Sequence, residues 1–229
     1  MKSAIVIFPG TNRERDMATA IEKVSGKKPQ FIWYNDSEIP IVDLLILPGG
    51  FAYGDYLRAG AMAARAPIMR ALIDHASKGG AILGVCNGFQ ILTEIGLLPG
   101  ALIRNSKLKF ICCNLNIRVE TTSSIFTTKY SQGQCLSIPV AHNDGNYFAD
   151  KQTLDKLEEE SRVAFRYVDE TGETTSLGNP NGSARNIAGI FNKGKNILGF
   201  MPHPENATDA LLGGTDGYAL FESIVDTLS

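Results

Sequence analysis

The sequence predicts an α/β fold in which a three-layer, mostly parallel central sheet is flanked by helices, with a smaller antiparallel region attached. Three observations carry this reading. Short β-branched runs alternate with helical stripes of apolar residues. Glycine and proline punctuate the ends of those runs. From Phe110 onward the apolar period changes to two.

Taken in order, Ser3 to Phe8 reads as a buried first strand that ends in the loop Pro9-Gly10-Thr11-Asn12. Met17, Ala20, Ile21 and Val24 recur at helical spacing, and Gly26 closes that helix. Gln30 to Tyr34 and Leu44 to Leu47 are the next strands, the second halted at Pro48-Gly49-Gly50. Ile68, Leu72, Ile73 and Ala76 form a helix stripe stopped by Gly79-Gly80. Ala81 to Val85 is a short apolar strand that runs through Cys86 almost directly into a helix marked by Phe89, Ile91, Leu92 and Ile95 and ended by Gly96. In the later half, Ile111, Cys113, Leu115, Ile117 and Val119 alternate with polar partners, the pattern of an antiparallel strand buried on one side. Leu136 to Val140 and Val163 to Val168 extend that region. Ile187 to Phe191 and Ile197 to Met201 make a hairpin around Lys193-Gly194-Lys195, and Phe221, Ile224, Val225 and Leu228 a closing amphipathic helix. Asp169 to Asn186 reads by composition as a long surface loop.

Length and charge exclude several functions. At 229 residues the chain is expected to form a single domain, 1–229. With 22 Lys+Arg against 24 Asp+Glu it has no general attraction to phosphate backbones or anionic lipid, so neither nucleic acid nor membrane is expected as a partner. The first apolar stretch, Ala4 to Phe8, is too short for a signal peptide, which predicts a cytoplasmic protein. Cys86, Cys112, Cys113 and Cys135 lack zinc-site spacing, and His75, His142 and His203 are scattered, so no metal is expected.

Gly84-Val85-Cys86-Asn87-Gly88 lies where a strand meets a helix, the setting of a nucleophile elbow with cysteine as nucleophile. The flanking glycines relieve crowding, and the helix amino terminus favours the thiolate. The N–H of Asn87 is left to face an oxyanion, with Gly49-Gly50-Phe51 as the expected source of a second donor. A thiol nucleophile needs an imidazole, and the imidazole a partner that fixes its tautomer. Met201-Pro202-His203-Pro204-Glu205 offers both: in an extended segment His203 and Glu205 would point the same way. His75 reads as a structural helix residue, and Cys112 and Cys113 as packing residues. His142 is open between lining the site and stabilising a turn.

These residues resemble class I glutamine amidotransferase domains, and within them the glutaminase subunits of phosphoribosylformylglycinamidine synthases of purine biosynthesis. The resemblance spans nearly the whole chain. It runs from Pro9 to Asn12 through Pro48-Gly49-Gly50-Phe51 and Tyr53 to Gly60, then Gly84 to Gly96, Asn105 to Phe110, Ala141-His142, Asn179 to Ser183, and Met201 to Glu205. It implies that Cys86 is the nucleophile, His203 the general base and acid, and Glu205 its orienting partner. Gly50 or Phe51 with Asn87 would be oxyanion donors, and Gln90 would lie beside bound glutamine. It also implies partners: a large synthetase subunit and a third small subunit, with ATP and Mg held by the synthetase and no cofactor in this chain. Arg13 stands where the family commonly has cysteine. A glutaminase serving another synthase and a non-catalytic α/β scaffold are the alternatives; Gly-Gly-Phe followed by Tyr-Gly-Asp-Tyr speaks against the first, and the intact Cys86, His203 and Glu205 set against the second.

Overall fold

The computed structural model describes residues 1–229, apart from the side chain of Leu212. The elements follow in the order β1 (Ser3–Ile7), α1 (Glu14–Ser25), β2 (Gln30–Trp33), β3 (Leu44–Leu47), α2 (Ile68–Ser77), β4 (Ala81–Val85), α3 (Asn87–Glu94) and β5 (Ala101–Ile103). After these come β6 (Ile111–Val119), β7 (Cys135–His142), β8 (Asn146–Phe148), α4 (Lys151–Glu159), β9 (Val163–Tyr167), β10 (Ile187–Phe191), β11 (Ile197–Phe200) and α5 (Tyr218–Leu228).

Nine strands form one sheet in the order β2-β1-β3-β4-β11-β10-β9-β6-β7. The run from β2 to β11 is parallel, and from β11 to β7 every pairing is antiparallel. The antiparallel region therefore continues the parallel sheet, with the β10–β11 hairpin as the joint. β5 and β8 pair separately.

Residue type explains which strands sit at the centre. Every residue of β3, β4 and β11 is buried, as near-continuous apolar runs in a sheet covered on both faces require. β2 closes one edge and buries only Ile32 among its four residues. α1 buries Met17, Ala20 and Ile21, the residues its periodicity selects, and packs on α5. It ends at Gly26, whose φ of 68° lets its N–H reach Glu22 O at 2.9 Å. α3 lies against β3, β4 and β11.

The sequence pattern misses β5, β8 and α4. The two strands are three residues each, too short for a period to register. α4 is highly charged, and its marker is the cap: Asp150 Oδ1 accepts from Thr153 N at 2.7 Å. In β6 the expected alternation holds at Ile117 and Val119, which are buried, and fails at Cys113, which is exposed. Cys112 and Cys113 are thus not packing residues. The cause is that β6 pairs with β9 only at Ile117, Arg118 and Val119, so its earlier residues have β7 alone as a neighbour and run out beyond the sheet as an arch.

Candidate active site

Cys86 is the turn between β4 and α3, with φ 50° and ψ −105°. A non-glycine residue holds such a conformation only where its surroundings fix it. Its N–H donates to Phe200 O on β11 at 2.7 Å, and glycine on either side lets helix and sheet close around it. A Cβ on Gly88 would stand 2.0 Å from Leu47 O, and one on Gly84 2.4 Å from Leu92 Cδ1. The elbow read from the sequence is present, and the side chain it holds is 5% exposed.

His203 follows β11 and is buried, its Nδ1 2.7 Å from Glu205 Oε1. The two meet by a different route from the extended one expected. A 3₁₀ turn, Pro204–Asn206, starts after His203 and folds Glu205 back beneath the ring. With Nδ1–H donating to the carboxylate, Nε2 is the free nitrogen, and among the described residues it has no hydrogen-bond partner. Burial disfavours the imidazolium, but the negative charges of Glu205 and of Cys86 as thiolate outweigh it and raise the His203 pKa.

The arch formed by β7 supplies backbone to this pair. His203 N donates to Pro139 O at 2.8 Å, and Cys86 Sγ points at Ala141 O, 3.7 Å away. Neither Pro139 nor Ala141 is legible as a site residue, because it is their carbonyls that act. A cavity of about 280 Å³ opens beside His203 along this arch, lined also by Arg13, Cys113, Ala141 and Asn206. Arg13, on the loop after β1, pairs with Asp16 at 2.9 Å.

The candidate oxyanion donors divide more sharply than the sequence allowed. Phe51 N–H donates to Gly10 O at 2.9 Å and is therefore spent, whereas Gly50 N–H makes no backbone bond among those described. Of the two, Gly50 is the free donor, and a Cβ there would stand 2.7 Å from Gly10 O. Asn87 opens α3, where first-turn N–H groups have no intrahelical partner. Its side chain accepts from Ala52 N at 3.1 Å and donates to Gln90 Oε1 at 2.8 Å, which ties the Gly50 loop to α3. Gln90 Nε2 donates to Asp144 O at 2.7 Å. Both ends of Gln90 are thus engaged within the protein, and it braces the site.

Two acidic residues that the sequence reading passed over, Asp55 and Asp144, lie beside Asn87 and Gln90. Asp55, at φ 54°, lies 3.5 Å from Asn87 Nδ2. Burial first and Asp144 second push its carboxyl up to about 6. His142 ends β7 and is 2% exposed, its Nδ1 3.2 Å from Asn105 Oδ1. Burial, then the charge of His203, depresses its pKa to about 4, so it is neutral. His75 is structural, as expected, its Nε2 3.3 Å from Ala81 O. No group of His, Cys, Asp and Glu among the described residues could hold a metal ion, and no described helix is long and apolar enough to cross a membrane.

Residues 1–213 match the CobB/CobQ-like glutamine amidotransferase domain. The chain is 57% identical to the phosphoribosylformylglycinamidine synthase subunit PurQ of Rhodospirillum rubrum, covering all of both chains. It is 56% identical to PurQ of Mesorhizobium japonicum over 97% of each. Among solved structures it matches a chain of PurLQS from Thermotoga maritima with a TM-score of 0.87 and 40% identity, over 100% of this chain and 99% of that one. The glutaminase domain of Trypanosoma brucei CTPS, at 12% identity and TM-score 0.63 over 100% of this chain and 95% of that one, shares the fold. Likeness that runs end to end, across the elbow and the His203–Glu205 pair alike, means that the chain belongs to the PurQ family of phosphoribosylformylglycinamidine synthase subunits, within the CobB/CobQ-like glutamine amidotransferases.

Proposed function

We infer that this chain is the glutaminase subunit of phosphoribosylformylglycinamidine synthase and that Cys86, His203 and Glu205 carry its chemistry. The observation behind the residue roles is the strained, positive-φ Cys86 at the β4–α3 turn beside a buried, carboxylate-paired imidazole. The Cys86 thiolate attacks the side-chain carbonyl of glutamine, and the oxyanion meets the N–H groups of Gly50 and Asn87. His203, held protonated by Glu205 and the thiolate, gives the Nε2 proton to the departing nitrogen, which leaves as ammonia. The neutral imidazole then takes a proton from water as that water attacks the thioester, releasing glutamate and free Cys86.

Ammonia protonates in bulk water, so this chemistry is useful only when coupled to an acceptor. The PurLQS relative joins a PurQ chain to L and S partners. For this chain the corresponding partners are a large ATP-dependent synthetase, which converts formylglycinamide ribonucleotide to formylglycinamidine ribonucleotide, and a third small subunit. ATP and Mg belong to the synthetase, and the assembly works in the cytoplasm, where the nucleotide substrate is made.

In the reconstituted complex, Cys86→Ala is expected to abolish glutamine-dependent synthesis and leave ammonia-dependent synthesis intact. Equal loss of both would contradict the nucleophile assignment. A glutamine-analogue diazo-ketone should label Cys86, and labelling of Cys112 or Cys113 in its place would remove the elbow from the mechanism.

A further inference from the structure

His142 is a buried imidazole that the mechanism above does not use. Its orientation is fixed by Asn105, whose Nδ2 donates to Lys109 O at 2.8 Å and His142 O at 3.0 Å. Asn105 Oδ1 is therefore the atom that faces His142 Nδ1 and also accepts from Gly145 N at 3.0 Å. An amide oxygen can only accept, so Nδ1 carries the hydrogen and Nε2 carries the lone pair. The ring packs on Gly145, where an added Cβ would stand 2.4 Å from its Cε1 and Nδ1 and 2.7 Å from its Nε2, so only glycine leaves room for it there.

The Nε2 acceptor is buried and has no partner among the described residues. Buried acceptors are ordinarily matched, and one left open next to a reacting centre calls for a donor that arrives with the substrate. Location narrows what that donor is. His142 directly follows Ala141, whose carbonyl is 3.7 Å from Cys86 Sγ, and it is near enough to His203 for the charge of one ring to depress the other. Near Cys86 the reacting part of glutamine bears N–H only on its carboxamide.

We propose that His142 Nε2 accepts a hydrogen bond from the carboxamide nitrogen of glutamine and keeps that bond as the nitrogen departs, making His142 a further catalytic residue. The inference rests on the glutaminase reading. No proton is gained or lost by His142. The S–C bond to Cys86 forms, the C–N bond breaks with its electron pair on nitrogen, and the added proton comes from His203 Nε2. A lone pair on one side and a proton donor on the other hold the nitrogen in the orientation that receives the His203 proton.

Two substitutions separate this role from a purely structural one. His142→Asn keeps a donor at the Nδ1 position, toward Asn105, and deletes the acceptor at Nε2. His142→Gln restores an acceptor at the Nε2 position and gives up the Asn105 bond. In the complex with both partner subunits, His142→Asn should lower kcat for glutamine hydrolysis roughly 10- to 100-fold, with ammonia-dependent synthesis unchanged. His142→Gln should retain more kcat than His142→Asn even if its unfolding temperature is lower. Wild-type kcat in His142→Asn, or a lower kcat in the Gln variant than in the Asn variant, would overturn the proposal alone. A wild-type complex that forms no glutamate from glutamine would overturn the glutaminase reading and this inference with it.

Discussion

At the scale of single residues, the trio proposed to react lies in two short segments whose local grammar is strong: glycine on both sides of a strand-end cysteine, and proline on both sides of a histidine. Such signals are readable because the backbone conformation they permit is decided within five residues. Which N–H is free to complete the proposed oxyanion hole was not readable, because it turns on the bond from Phe51 N to Gly10 O, contributed by a segment about forty residues earlier. Asp55, Asp144 and His142 were passed over, or left undecided, for the same reason. Their environment is made by loops brought together only in the fold. The His203–Glu205 pair carries a test of its own. Glu205→Gln removes a charge that raises the His203 pKa, so the imidazolium should survive to a lower pH limit than in the wild type. The alkaline limb of the glutaminase pH profile should move to lower pH, with kcat reduced on the order of 10²- to 10⁴-fold. A profile that moves to higher pH or stays in place would show that Glu205 does not set the charge on His203.

At the scale of elements, strands and helices with a clear apolar period were legible, and β5, β8 and α4 were not. Three residues cannot display a period. The charged surface of α4 hides its one fully buried side chain, Leu157. The β4–α3 unit is where element packing and chemistry depend on each other. Gly88 sits on β3 so closely that any side chain must push α3 away from Leu47. Because the amino end of α3 holds Cys86, that movement also displaces the sulfur. Gly88→Ala is expected to cost about 3 kcal/mol by urea unfolding and to remove glutaminase activity. Gly214→Ala, where a Cβ meets nothing within 4 Å, should leave both near wild type. Equal unfolding midpoints for Gly88→Ala and the wild type would mean that the helix packs more loosely than described.

For the whole molecule, the two buried imidazoles predict opposite pH dependences. His142 is neutral when folded, its pKa held at about 4 against 6.5 for the free side chain. Stability from this group is fully present above 6.5 and is lost as pH falls from there through about 4, a change of about 3 kcal/mol. His203 is shifted the other way, so its contribution is present below 6.5 and is lost as pH rises beyond that value through its raised pKa. Stability should therefore peak near pH 6 to 7 as far as these two groups decide it. Unfolding by urea across pH 4 to 7 measures the acid limb, and in His142→Asn that limb should flatten. An unchanged acid limb in the variant would assign it to other groups.

The arch of β7 has a further consequence. The carbonyls of Pro139 and Ala141 face His203 and Cys86 because they lie on alternate residues of one strand edge, set by the pairing of Asn114 with Pro139 and Cys112 with Ala141. A slip of one residue along β6 would turn those carbonyls to the opposite edge and reverse every side chain of β7. On the proposed mechanism the hairpin's alignment would thus bear on the chemistry although no side chain at 139 or 141 reacts. Substitutions far out on β6 and β7 that weaken register, and not bulk, are the ones to which catalysis should be sensitive.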